Sequence, residues 1–160
     1  MADPFAALGL PPAWRIDAEA VRQAQRRAVA RWHPDRFPDP AARADAQRRV
    51  AEANEAAAAL LDPLACAQAA VDRLAPVPRP AEPRPTPGFL AAMLEVREAV
   101  DAGALDQAGP ALDQMRRQAE LDLASSFEAL AGGDVSAWSL AAEAVGRLRA
   151  VRRALESMAA

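Results

Sequence analysis

Alanine constrains this chain more than any other residue. It supplies 44 of the 83 apolar residues in a sequence of 160. Alanine is the strongest helix former but buries little surface. Isoleucine occurs once and tyrosine not at all, so a β-sheet would lack its usual β-branched and aromatic residues. The sequence therefore predicts an all-α fold. It also predicts close helix packing, because alanine faces let backbones approach.

Charge narrows the function classes. The formal net charge of −3 gives no overall electrostatic case for nucleic acid or an acidic membrane as the main partner. All 19 basic residues are arginine, and this Ala/Arg/Pro bias reads as genome composition. Their placement is uneven: residues 13–36 hold six Arg against three acids, and residues 88–160 hold seven Arg against eleven acids. Opposite leanings in the two halves suggest two different partners. Cys66 is the one cysteine, which excludes an intrachain disulfide and suits a reducing compartment. The N-terminal MADPFAALGL has neither a basic n-region nor a long apolar run. The expectation is a soluble, cytoplasmic protein with no membrane span.

The clearest boundary is VPRPAEPRPTP, residues 77–87, with six prolines from Pro76 to Pro87. Closely spaced prolines favour polyproline II and exclude helix, so this stretch reads as a semi-rigid spacer. It separates an N-terminal domain (1–75) from a C-terminal one (88–160), with the linker at 76–87. Each half is near the lower limit for a self-sufficient core.

Other prolines mark helix starts. Asp3-Pro4, Asp39-Pro40, Asp62-Pro63 and Thr86-Pro87 each place a capping side chain before a proline at the first helical position. Asp17 caps a further helix, with Ile16 and Val21 spaced as a hydrophobic staple. Helices are expected near 4–9, 18–32, 40–61 and 63–75, then near 87–102, 106–131 and 135–158. Gly103 and Gly132-Gly133 supply stops.

Each long helix has an apolar stripe. Val21, Ala24, Ala28 and Trp32 share one face, and Ala46, Val50, Ala53, Ala57 and Leu60 share another. Beyond the linker, Leu112, Met115, Ala119, Leu123 and Leu130 should face Trp138, Val145, Leu148 and Leu155. That pattern describes a C-terminal three-helix bundle.

The single histidine lies in Arg31-Trp32-His33-Pro34-Asp35-Arg36-Phe37, between two helices expected to pack together. Pro34 ends the first helix and biases His33 away from the helical region, presenting His33 and Asp35 on a rigid turn. Arg22 and Arg26 form one exposed stripe behind it, and Arg27 and Arg31 another. A basic face ending in this turn suits docking on an acidic protein surface. Asp35 would then pair with a partner arginine, a bond of roughly 1.5–3 kcal/mol. Two other readings stand beside this one. His33 and Asp35 could simply cap helices beneath a solvated arginine face, or His33 could be a general base oriented by Asp35. The second lacks a neighbouring nucleophile or second acid.

DPFAALGLP, the arginine-studded helix, HPDRF and a long Ala/Arg helix containing Asn54 together resemble a J-domain. The resemblance implies a helical hairpin by which a co-chaperone engages a DnaK-type ATPase and accelerates its ATP hydrolysis. Arg22, Arg26, Arg27, Arg31, His33, Pro34 and Asp35 are the positions it implies for docking.

The helix FLAAMLEVREAV, residues 89–100, has more apolar surface than one core face requires. Phe89, Met93, Val96 and Val100 line one arc. Leu90 and Leu94 lie about a quarter-turn away, and Glu98 continues their side. Leucines outside the core stripe and flanked by acids suggest a partner surface, although a wide core face covered by another helix would read the same way.

A J-domain, a short linker and a bundle opening with FLxxxLExRE resemble the HscB family of iron–sulfur co-chaperones over nearly the whole chain. Leu8-Gly9-Leu10-Pro11 and Asp62-Pro63-Leu64 belong to the same pattern. The resemblance implies HscA as the ATPase partner, and the scaffold IscU as a partner bound through Leu90, Leu94, Glu95 and Glu98. It departs at Ala91, Ala102 and Ala150, where the family carries larger side chains near the scaffold site. Ala57 and Ala69 likewise replace aromatics that brace the J-domain. No resident cofactor or metal is expected, because Cys66 and His33 cannot by themselves hold an iron–sulfur cluster. The alternative is a general J-domain co-chaperone whose bundle binds another client.

Overall fold

The computed structural model describes residues 3–159. Met1, Ala2 and Ala160, at the ends of the segments expected from sequence, lie outside that range. The chain folds as two compact units that divide between Arg73 and Leu74. Among the described residues there are seven α-helices and no strand, in keeping with the alanine-rich composition.

The first unit contains α1 (Pro4–Leu8), α2 (Ala18–Arg31), α3 (Pro40–Leu61) and α4 (Pro63–Arg73). Its helix starts follow the Asp-Pro logic. Asp3 Oδ1 accepts the N–H groups of Phe5 and Ala6 at 3.0 and 3.3 Å. Asp39 Oδ2 accepts that of Ala42 at 2.8 Å, and Asp62 Oδ1 accepts those of Leu64 and Ala65, both at 2.9 Å. Each aspartate satisfies orphan donors of a first turn whose proline has none to offer. α1 stops at Gly9, whose φ of +65° is a left-handed conformation that glycine adopts without strain.

α3 is the element on which α1, α2 and α4 all pack. Phe5, Leu8, Val21, Leu60 and Val71 supply the larger buried side chains, and Ala24, Ala46, Ala53, Ala56, Ala57, Ala67 and Ala70 fill between them. A core this rich in alanine gains less from burial than one built of leucine. Polar ties supplement it. Asp3 Oδ2 pairs with Arg73 Nε at 2.8 Å, joining the start of α1 to the end of α4. Gln25 Nε2 donates to Asn54 Oδ1 at 2.9 Å, joining α2 to α3.

The second unit contains α5 (Pro87–Asp101), α6 (Leu105–Ala131) and α7 (Trp138–Ala159). Residues 75–86 have no helix or strand. Within them, the Arg79 guanidinium lies 5.5 Å from the ring centroid of Trp138. Val96, Ala108, Leu112 and Val151 form a buried cluster flanked by Phe89, Met93, Val100, Met115, Leu155 and Met158. Further along, Ala119, Leu123, Phe127 and Leu130 of α6 are buried, as are Trp138, Ala141, Ala144 and Val145 of α7. Arg147 Nη2 meets Asp122 Oδ2 at 2.7 Å between these two helices.

Several boundaries differ from the sequence expectation. α2 stops at Arg31, so Trp32 is its C-cap rather than its last helical residue. α4 ends at Arg73 rather than near 75. α7 begins at Trp138, because residues 135–137 form a 3-10 turn capped by Asp134. α6 runs through Pro110, which removes one backbone donor in its second turn without ending the helix.

Candidate docking surfaces

The first surface is built at the α2–α3 connection. Asp17 starts α2 by accepting the N–H groups of Glu19 and Ala20. Arg22, Arg26, Arg27 and Arg31 are all exposed along the helix. They are not equivalent. Arg26 Nη2 pairs with Glu19 Oε1 at 2.6 Å, and this partner holds the Glu19 carboxyl below its usual range. The Arg31 guanidinium lies 5.3 Å from the Trp32 ring centroid. Any acidic partner of Arg26 must therefore compete with Glu19, a point the sequence pattern left out.

The turn itself has more structure than a simple loop. His33 is extended (φ −63°, ψ 127°) and caps a 3-10 turn over Pro34–Arg36. Its Nδ1 accepts the Asp35 backbone N–H at 3.4 Å and lies 3.6 Å from Asp35 Oδ2. Pro34 fits the first turn position because its fixed φ is already suitable and its missing N–H costs no bond there. The Asp35 side chain is 90% exposed. The arrangement offers an aimed carboxylate beside an imidazole used as a cap.

Three arginines outside the expected set fix this turn. Arg36 Nη1 donates to the Ala30 carbonyl at 3.0 Å, folding the turn back onto α2. Arg43 Nε donates to the Phe37 carbonyl at 3.2 Å from the first turn of α3. Arg49 lies with its guanidinium carbon 4.3 Å from the Trp32 ring centroid. Trp32 in turn stacks on Phe37, with centroids 5.9 Å apart and planes 14° from parallel. The available sequence signal was the pair of aromatics bracketing the turn in a chain that is only 4% aromatic.

The second surface is on α5. Phe89, Met93, Val96 and Val100 turn toward the bundle core. Leu90 and Leu94, one helical turn apart, remain 54% and 56% exposed. Glu95 and Glu98 are exposed beside them, as is Ala91. The quarter-turn offset between core stripe and leucine pair is therefore real, and no helix of the bundle covers the pair. This unit presents a small apolar strip edged by carboxylates. Among the described residues, no three His, Cys, Asp or Glu side chains converge as metal ligands. Among the described residues no helix is long and apolar enough to cross a membrane.

No protein-family model matches the chain. Individual relatives do. The chain is 34% identical to a co-chaperone protein HscB homolog of Bordetella petrii, over 95% of this chain and 97% of the relative. It is 32% identical to the corresponding protein of Bordetella avium, over 94% and 97%. Among solved structures it is similar to human HscB, with a TM-score of 0.75 at 16% identity, covering 99% of this chain and 81% of that one. HscB from Vibrio cholerae gives 0.69 at 26% identity, covering 99% and 96%. With a full-length match on both sides and the same helical architecture, the chain belongs to the HscB family of J-domain co-chaperones.

Proposed function

We propose that this co-chaperone couples an iron–sulfur scaffold protein of the IscU type to a DnaK-type ATPase of the HscA type and stimulates ATP hydrolysis. In this reading residues 1–75 are the J-domain, 76–87 the linker, and 88–160 the scaffold-binding bundle. The observation that supports it most is the presence, in one chain, of two exposed surfaces of different chemistry. Asp35 stands out from a turn beside a basic helix, whereas Leu90 and Leu94 stand out from a helix edged by Glu95 and Glu98.

Each surface suits its partner. Arg22, Arg26, Arg27 and Arg31 attract an acidic patch on the ATPase, and Asp35 offers a charge-assisted bond to an arginine there. The leucine strip offers apolar burial to the scaffold. One chain that binds both partners raises the effective concentration of client at the ATPase without any new contact. The chain itself performs no chemical step. We read the site of action as the bacterial cytoplasm, in line with its bacterial relatives.

Calorimetric titration of IscU into the full chain tests the scaffold half. One-to-one binding that weakens about tenfold in Leu94→Ala, a loss of roughly 1.4 kcal/mol, supports it. Absence of binding removes the scaffold assignment. ATPase stimulation tests the other half: Asp35→Ala should abolish stimulation of HscA and leave IscU binding intact. Equal stimulation by mutant and wild type would sink the docking claim.

A further inference from the structure

The turn is closed by an aromatic clasp. Trp32 immediately precedes His33 and Phe37 immediately follows Arg36, so the stacked rings join the two ends of the segment that presents Asp35. What holds the clasp lies on the other helix. Arg49 of α3 sits 4.3 Å from the Trp32 ring centroid, closer than Arg31 at 5.3 Å. Arg49 is itself braced: its Nε meets Asp45 Oδ2 at 2.8 Å, one turn earlier on α3. The second Asp45 oxygen meets Arg48 at 2.9 Å. This pairing holds the Asp45 carboxyl below its usual range, with Arg49 as the larger cause.

We propose that Arg49 is a positioning residue for ATPase activation, fixing the His33–Pro34–Asp35 turn in its engaging conformation through the ring of Trp32. The inference rests on the docking reading given above. A guanidinium over the indole face attracts the ring quadrupole, and Asp45 keeps that guanidinium from swinging away. Arg36 and Arg43 hold backbone carbonyls on either side of the turn, whereas Arg49 holds the side-chain clasp. If the turn leaves its competent conformation for part of the time, the apparent dissociation constant rises by the inverse of the competent fraction. The maximal stimulated rate does not change, because the complex once formed is the same.

The experiment uses the full chain, HscA, and the variants Arg49→Gln and Arg49→Lys. ATPase stimulation is followed against co-chaperone concentration. Nitrogen–proton correlation spectra of the free protein report the Trp32 indole and the Asp35 and Arg36 amides. For Arg49→Gln the half-saturating concentration should rise roughly two- to fivefold, the span of an exposed cation–π contact. The maximal rate should stay as in wild type, and the Trp32 and Asp35 signals should move. Arg49→Lys keeps a cation over the ring and should recover most of the loss. An unchanged half-saturating concentration overturns the proposal. So does a raised one with unmoved spectra, which would mean that Arg49 touches the ATPase directly, or a lysine variant no better than glutamine. Asp35→Ala is run in parallel. If it stimulates like wild type, the docking reading falls and this inference with it. If it is inactive while Arg49→Gln is normal, only the positioning role is lost.

Discussion

His33 serves Asp35 as a cap: its Nδ1 accepts the Asp35 backbone N–H at 3.4 Å across Pro34, while the Asp35 carboxylate stays 90% exposed. The same nitrogen lies 3.6 Å from Asp35 Oδ2, and the carboxylate remains open to a partner. This division of labour needs no proton transfer by either residue.

Replacing His33 with alanine should therefore separate activity from stability. The lost cap belongs to an exposed three-residue turn, so the change in unfolding free energy should stay within about 1 kcal/mol. Stimulation of the ATPase should fall to near background, because the turn no longer holds Asp35 in place. Thermal denaturation and an ATPase assay on the same preparation check both parts. A large drop in melting temperature would show that His33 supports the fold instead.

Much of this molecule is written locally in its sequence, and that part was legible. Asp3-Pro4, Asp39-Pro40 and Asp62-Pro63 announce helix starts because capping depends on residues within three positions of one another. Helical periodicity set Leu90 and Leu94 apart from the core stripe, and their exposure of 54% and 56% decides for a surface pair over a wider core face. What escaped were ties between residues distant in the chain: Gln25 with Asn54, Asp3 with Arg73, Asp122 with Arg147, and Arg49 with Trp32. No period marks such pairs, since each depends on how two helices come to rest. The 3-10 turns at Pro34–Arg36 and Val135–Ala137 escaped for a different reason, being too short to carry any pattern.

The cap of α3 gives a second prediction. Asp39 Oδ2 accepts the Ala42 N–H at 2.8 Å, and α3 is the helix against which the rest of the first unit packs. Asp39→Ala should cost about 1 kcal/mol, and Asp39→Asn should recover most of it because the amide oxygen still accepts. Chemical denaturation of the three proteins decides the matter. Equal stability across the set would show that solvent satisfies the Ala42 donor as well as Asp39 does.

One substitution made at two leucines tests the division between core and surface in the bundle. Leu112 is wholly buried in the Val96–Ala108–Val151 cluster, whereas Leu94 is 56% exposed. Leu112→Ala leaves a cavity and should cost about 2–5 kcal/mol. Leu94→Ala should cost less than about 1 kcal/mol and yet weaken scaffold binding more than Leu112→Ala does in protein that remains folded. Urea denaturation and calorimetry provide the two readouts. Comparable destabilisation by both would place Leu94 in the core and remove it as a docking residue.

The last prediction concerns Cys66, which is 1% exposed on α4 with its Sγ donating to the Ala13 carbonyl at 3.3 Å. Burial pushes its thiol up from 9.0 to about 11. The thiolate is the reactive form, so the folded protein should resist alkylation at pH 8 and label fully in urea. The same shift makes stability depend on pH in the alkaline range. Between pH 9 and about 11 the unfolded chain gives up the thiol proton while the folded chain keeps it. The native state then binds more protons, and stability must decline as the pH rises through that window. Cys66→Ala removes the titrating group and should flatten that decline in a series of denaturation curves. Rapid labelling of the native protein at pH 8, or an unchanged alkaline slope in Cys66→Ala, would show that the thiol is not the group that titrates.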